Sequence, residues 1–125
     1  MRFVILHAGQ ALGGSDLPEL DAGMGVACGA FVPAHGYASV RSVFRKYADA
    51  HRDDGTIDEA MLSQMQHEIQ ALALQVVAAD GAVLAHEWAM IYDFSEETGA
   101  DDYSLDVCLA SRNWFSSYWP ESLDP

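Results

Sequence analysis

Residues 103–110 alternate without a break: Tyr103, Leu105, Val107 and Leu109 are separated by Ser104, Asp106, Cys108 and Ala110. A period of two puts the four large apolar side chains on one face of a strand. Such a strand is stable only inside a sheet with one face packed. The rest of the chain must therefore supply strand neighbours and a cover.

Phe3 to Leu6 is continuously apolar, as in a strand buried on both faces. Gly9, Gly13, Gly14, Ser15 and Asp16 read as a turn-rich loop, and Leu17 to Leu20 as a connector. Met24 to Val32 reads as a strand interrupted by Gly25 and Gly29 and ended by Pro33, which cannot donate to a ladder.

Tyr37 to His51 carries a helical stripe of Val40, Val43, Phe44, Tyr47, Ala48 and His51. Arg41, Arg45, Lys46 and Arg52 occupy the rest of it, and Asp53-Asp54-Gly55 breaks it. Thr56 and Glu59 have the spacing of a capping box, and Ile57, Met61, Met65 and Ile69 continue a stripe behind it. Two readings then compete. Leu72 and Val76 extend the same helix to about residue 78, or 72–77 is a strand turning at Asp80-Gly81 into Val83 to Tyr92. Asp-Gly between apolar runs favours the hairpin, although the alanines favour helix. Trp114, Phe115, Tyr118 and Trp119 form a short aromatic helical tail, in which Trp119, followed by Pro120, is expected to be exposed.

These elements predict one α+β domain over residues 1–125: a small antiparallel or mixed sheet with helices at about 37–51 and 57–68 on one face. A length of 125 residues fits one domain, and a 50% apolar composition supplies a core without metal or disulfide staples. The two cysteines, Cys28 and Cys108, have no metal-site spacing and read as small half-buried thiols. Met1 to His7 begins like a signal peptide, but its apolar run is short and no cleavage site follows, so a cytoplasmic protein is expected.

Charge is unevenly placed. Between Arg52 and Arg112 there is no Lys or Arg, and thirteen acids lie there. The remainder holds six bases and six acids, so the whole net charge of −13 sits in residues 53–111. A field of this sign repels nucleic acid and anionic membranes and attracts basic partners.

Gly25-Val26-Ala27-x-Gly29-x-Phe31-x-Pro33 followed by Tyr37, together with Asp80-Gly81 and Asp93-Phe94-Ser95, resembles a pattern in an uncharacterised family of small bacterial α+β proteins. The resemblance covers about half the chain, supports the hairpin and implies no activity. Val77 to Val83 followed by Glu87 is similar to the helix–loop–helix signature of TerB-like tellurite-resistance domains. That would map acidic metal ligands to Asp80 and Glu87, but the alternating strand and the apolar first strand depart from an all-helical fold.

Motifs that carry chemistry are few. Gly23 to Gly29 has one residue too many for a dinucleotide loop and opens a strand, and the sole lysine, Lys46, is on a helix. The five histidines never share an i, i+4 face. Asp93 to Gly99 resembles a calcium loop, but with its glycine at the seventh place and Ser104 at the twelfth; no designed metal site and no cofactor is predicted. Cys28 with His7 or His35 is the sole nucleophile–base candidate, with Asp93 as a further member of a site assembled from distant residues.

The leading expectation is thus a non-enzymatic, acidic protein-binding domain, in concrete form an immunity or antitoxin-type inhibitor of a basic toxin. Its expected surface is Asp93, Glu96, Glu97, Asp101 and Asp102 with Trp114, Tyr118 and Trp119: carboxylates for steering and aromatics for contact area. A small-ligand or enzymatic site built on His7, Cys28, His35 and Asp93 is the second reading. Self-association through the aromatic tail is the third.

Overall fold

The computed structural model describes residues 1–123 and is α+β. Its strands are β1 (Phe3–His7), β2 (Gln10–Ser15), β3 (Glu19–Asp21), β4 (Val26–Ala30), β5 (Val32–Pro33), β6 (Gln75–Ala78), β7 (Val83–Leu84), β8 (His86–Asp93) and β9 (Tyr103–Leu109). Its helices are α1 (Arg41–Ala50), which follows a 3₁₀ turn at His35–Ser39, α2 (Glu59–Leu72) and α3 (Asn113–Tyr118). The strands divide between two antiparallel sheets, β5-β2-β1-β6-β7 and β3-β4-β9-β8.

The alternating strand lies inside the second sheet, with Leu105, Val107 and Leu109 turned inward. Ala27, Ala89 and Ile91 point the same way and share one core with Phe3, Ile5, Leu12 and Val76 of the first sheet. The two sheets thus bury one face each against a common core. Helices α1 and α2 lie together, α1 against β8 and α2 against α1.

The hairpin at Asp80-Gly81 is present, but α2 runs on through Leu72, so its first strand begins at Gln75 and not at residue 72. β6 pairs with β7 across Asp80-Gly81, where Gly81 takes a positive φ of 93° and Asp80 accepts from the Ala82 N–H at 3.0 Å. Ala85 then carries the chain out of the first sheet into β8.

Three local expectations are corrected. The glycine-rich segment 9–16 is not a loop but contains β2. Gly13 sits where the chain passes Phe31 and Val32 so closely that a Cβ would run into the Val32 carbonyl and the Phe31 ring. The connector at Leu17 to Leu20 runs into β3, whose Leu20 pairs with Ala27. The helix at 59 is capped by Asp58, whose Oδ1 accepts from the Met61 N–H at 3.0 Å. The Thr56 hydroxyl instead donates to Asp54 at 2.6 Å, because the Asp53-Asp54-Gly55 turn engages it first.

Gly29 in β4 has a packing role: a Cβ there would lie 2.6 Å from the Pro18 ring and 3.0 Å from Ser15 Oγ. The segment that joins the sheets therefore passes directly over it.

Candidate functional site

The residues that carry the Gly-Val-Ala and Asp-Phe-Ser resemblance meet in space. The Tyr37 ring lies 5.7 Å from Phe31 and 5.6 Å from Tyr103. Its hydroxyl donates to Asp93 Oδ2 at 2.6 Å. Asp93 is buried at the end of β8. Its other oxygen accepts from the Ser95 hydroxyl at 2.6 Å and the Ser95 N–H at 3.1 Å. Arg41 Nε lies 3.5 Å from Oδ2, and Arg45 Nη1 donates to the Asp93 carbonyl at 2.8 Å. Burial alone would raise the Asp93 carboxyl, but the Ser95 and Tyr37 hydrogen bonds and the Arg41 charge outweigh it and hold it below its ordinary value.

This cluster is an internal clasp between α1 and the end of β8. Arg45 also grips Glu97 with two short hydrogen bonds, 2.6 and 2.7 Å, and approaches Glu96 at 3.0 Å. The Glu97 carboxyl is held below its usual range by that bond. Segment 93–99 thus holds two guanidinium groups, Arg41 at Asp93 and Glu96 and Arg45 at Glu96 and Glu97.

The expected contact surface therefore separates. Asp93 is inside the fold and spent on Tyr37, Ser95 and the arginines. Glu96 and Glu97 pair with Arg41 and Arg45, while Asp101 and Asp102 lie exposed in the loop before β9. The tail packs on the first sheet instead of on this loop. Tyr118 donates to Asp80 at 2.8 Å and meets Phe3 edge-on, and Trp114 is half-buried beside it. Trp119, expected outside, is 1% exposed: its ring stacks on Phe3 and its Nε1 donates to the Leu17 carbonyl at 2.6 Å. α3 ends at Tyr118, a 3₁₀ turn opens at Pro120, and Trp119 between them turns inward onto Phe3 of β1.

The distant-residue site does not assemble. His7 Nδ1 lies 2.8 Å from the Leu72 carbonyl at the end of α2. His35 is exposed in the 3₁₀ turn, two positions before Tyr37. Cys28 is on the outer face of the second sheet, 3.8 Å from Glu19. Burial, Asp106 and Glu19 raise its thiol, which keeps it protonated near neutral pH. Cys108 is raised as well, by burial and Glu87.

That outer face is the feature the sequence reading missed. Strand register places Glu19, Cys28, Asp106 and Met90 in one cross-strand row, and Asp21, Val26, Cys108 and Trp88 in the next. None of β3, β4, β9 and β8 contains a Lys or Arg. Asp106 is raised by burial, while Tyr92 beside it is pushed up to about 12, chiefly by burial and by Asp106. A carboxyl raised in the folded state destabilises the fold once ionised. Asp106→Asn is thus expected to stabilise the protein at pH 7 and to lose that advantage below about pH 4, the ordinary aspartate range. Urea midpoints at the two pH values check this.

At its β8 edge the face opens into a cleft of about 700 Å³ between β8 and α2. Leu62, Met65, Gln66, Ile69, Gln70 and Ala73 form one wall, and residues 86–90 with Tyr92 the other; Tyr47 also lines it. Trp88 is 44% exposed at its rim. The sequence signal was available: in β8 Trp88, Met90 and Tyr92 alternate with Ala89 and Ile91, so both faces of the strand are apolar and both ask for cover.

No protein-family model, curated protein or solved structure matches the chain. Among the described residues no helix is long and apolar enough to cross a membrane.

Proposed function

We propose that the chain is a non-enzymatic, acidic protein-binding domain whose partner is a basic protein. In its most concrete form it is an inhibitor of the immunity or antitoxin type that masks a basic toxin. The observation that carries this reading is the outer face of the β3-β4-β9-β8 sheet, which presents Glu19, Asp21, Asp106 and, beside Cys108, Glu87, with Trp88 at its edge and no cation on any of its strands.

Most cations of the chain are used internally. Arg41 and Arg45 hold Asp93, Glu96 and Glu97; Lys46 holds Glu68 at 2.7 Å; Arg52 holds Asp58 at 3.1 Å. The acids left over set the external field. Such a field raises the encounter rate with a basic partner and repels nucleic acid, while an exposed tryptophan supplies contact area. Asp101 and Asp102 lie at the end of the same sheet, in the loop between β8 and β9, and extend the field.

The pairing decides which substitutions test this. Reversing Glu97 would break the Arg45 clasp, so the test uses Glu19, Asp21 and Glu87. The tagged wild-type chain is expected to retain a stoichiometric basic protein from native cell lysate at low salt and less at moderate salt. A Glu19→Lys/Asp21→Lys/Glu87→Lys variant is expected to retain none. Equal retention by the variant, or no basic protein at either salt, would overturn the reading.

A further inference from the structure

Resting on that reading, we infer that the cleft between α2 and β8 receives an amphipathic basic helix of the partner. α2 is an incomplete piece of packing. Its stripe of Met61, Leu62, Met65, Ile69 and Leu72 runs through the helix, yet Met65 is its one fully buried side chain. An amphipathic helix normally buries such a stripe completely.

The dimensions favour a chain segment over a compact molecule. The α2 wall from Leu62 to Ala73 extends for roughly 16 Å at the rise of a helix. The facing stretch of β8 extends for roughly 20 Å at the rise of a strand. A groove of this length, with Leu62, Ile69 and Trp88 partly exposed along its walls and the buried Met65 and Met90 as its floor, matches helix-in-groove recognition through apolar side chains on one helical face.

The alternative, addition of a strand to β8, lacks what it needs. Phe94 N–H donates to the Asp102 carbonyl, so the backbone groups of Tyr92, Met90 and Trp88 face β9 and those of Ile91 and Ala89 face the free edge. Ile91 is 0% and Ala89 3% exposed, and Arg45 caps the Asp93 carbonyl. The edge is therefore covered where an added strand would have to bond.

Charge identifies the occupant's polar face. No Lys or Arg lines the cleft, Glu87 stands on its β8 wall, and the acidic outer face continues from Trp88 and Met90. A helix seated here meets apolar side chains below and carboxylates alongside, which selects leucine-like residues on one face and lysine or arginine on its flanks. The same field disfavours a second copy of this chain.

The test is calorimetric titration with a synthetic peptide of about 14 residues, long enough as a helix to span the cleft. Leucine occupies one face and lysine the other. Controls are an isomer of the same composition in scrambled order and a version interrupted by two prolines. One-to-one binding is expected, at least tenfold tighter than either control, and weakened at least tenfold by Trp88→Ala and by Ile69→Gln. Trp88 is exposed, so its variant keeps the test meaningful if Ile69→Gln impairs folding. Equal binding of the scrambled isomer, with no effect of either variant, would reduce the interaction to charge alone. That would overturn the cleft while leaving the acidic-face reading to its own pull-down. Equal binding of the proline peptide would give the cleft to an extended segment, and a dimer abolished by Trp88→Ala would give it to a second copy; either result overturns the inference.

Discussion

Asp93→Ala is expected to lower the unfolding free energy by about 3–5 kcal/mol, the usual cost of removing one partner from a buried ion pair. The carboxylate is wholly enclosed and receives the Tyr37 hydroxyl, the Ser95 hydroxyl and the Ser95 N–H. Its removal leaves the Tyr37 hydroxyl buried without an acceptor and Arg45, itself buried, without one of its neighbouring charges. Asp93→Asn keeps an acceptor for Tyr37 and should cost less. The denaturant midpoint of each variant, at unchanged slope, measures the difference. The pH dependence has a defined sign. The folded Asp93 carboxyl lies below its ordinary value, so its contribution is complete above the unfolded aspartate range, near pH 4, and is lost as pH falls through the depressed folded value. The gap between wild type and Asp93→Ala should therefore narrow in acid.

Trp119→Ala is expected to cost about 3–5 kcal/mol, the range for emptying a large aromatic site in a core. The indole stacks on Phe3 with ring centroids 5.4 Å apart and closes the core from the tail. Its Nε1–H bond to the Leu17 carbonyl also fixes the segment between β2 and β3, where Leu17 is buried at a φ of 40°. Alanine leaves both a cavity and an unpaired carbonyl; phenylalanine refills most of the cavity and leaves the carbonyl. Thermal unfolding separates these outcomes. Trp88→Ala, at an exposed position, should change stability by no more than about 0.5 kcal/mol. These two of the three tryptophans thus differ in burial: Trp119 sits in the core, and Trp88 stands exposed at the rim of the cleft.

What could be read from the residues followed the range of the interaction. Strand β9 and the Asp80-Gly81 hairpin depend on neighbours a few residues apart, and period and turn chemistry disclosed both. The start of α2 is equally local but was assigned to the wrong cap, because Asp54 competes for the Thr56 hydroxyl. Gly13 and Gly14 look like loop residues, since the reason for their small size is Phe31, Val32, Met1 and Phe3, visible only once strands pair. Trp119 finds Phe3 at the other end of the chain, and no local pattern announces that contact. The opposition between the basic helix and the acids after it was legible, yet the choice of Asp93, Glu96 and Glu97 as the partners was not. The clasp pairs three of the acids expected to face a partner: Asp93 is buried, while Glu96 and Glu97 stay exposed beside their arginines. The acids it leaves on the outer sheet face became visible only through cross-strand register.

The most direct measurement is the association rate of the purified chain with the basic protein that the proposed function expects it to capture, across a series of salt concentrations. Acidic steering predicts that the rate falls steeply as salt rises and that Glu19→Lys/Asp21→Lys/Glu87→Lys slows association at low salt. A tight complex whose association rate is the same at low and high salt, and unaffected by those substitutions, would contradict the account.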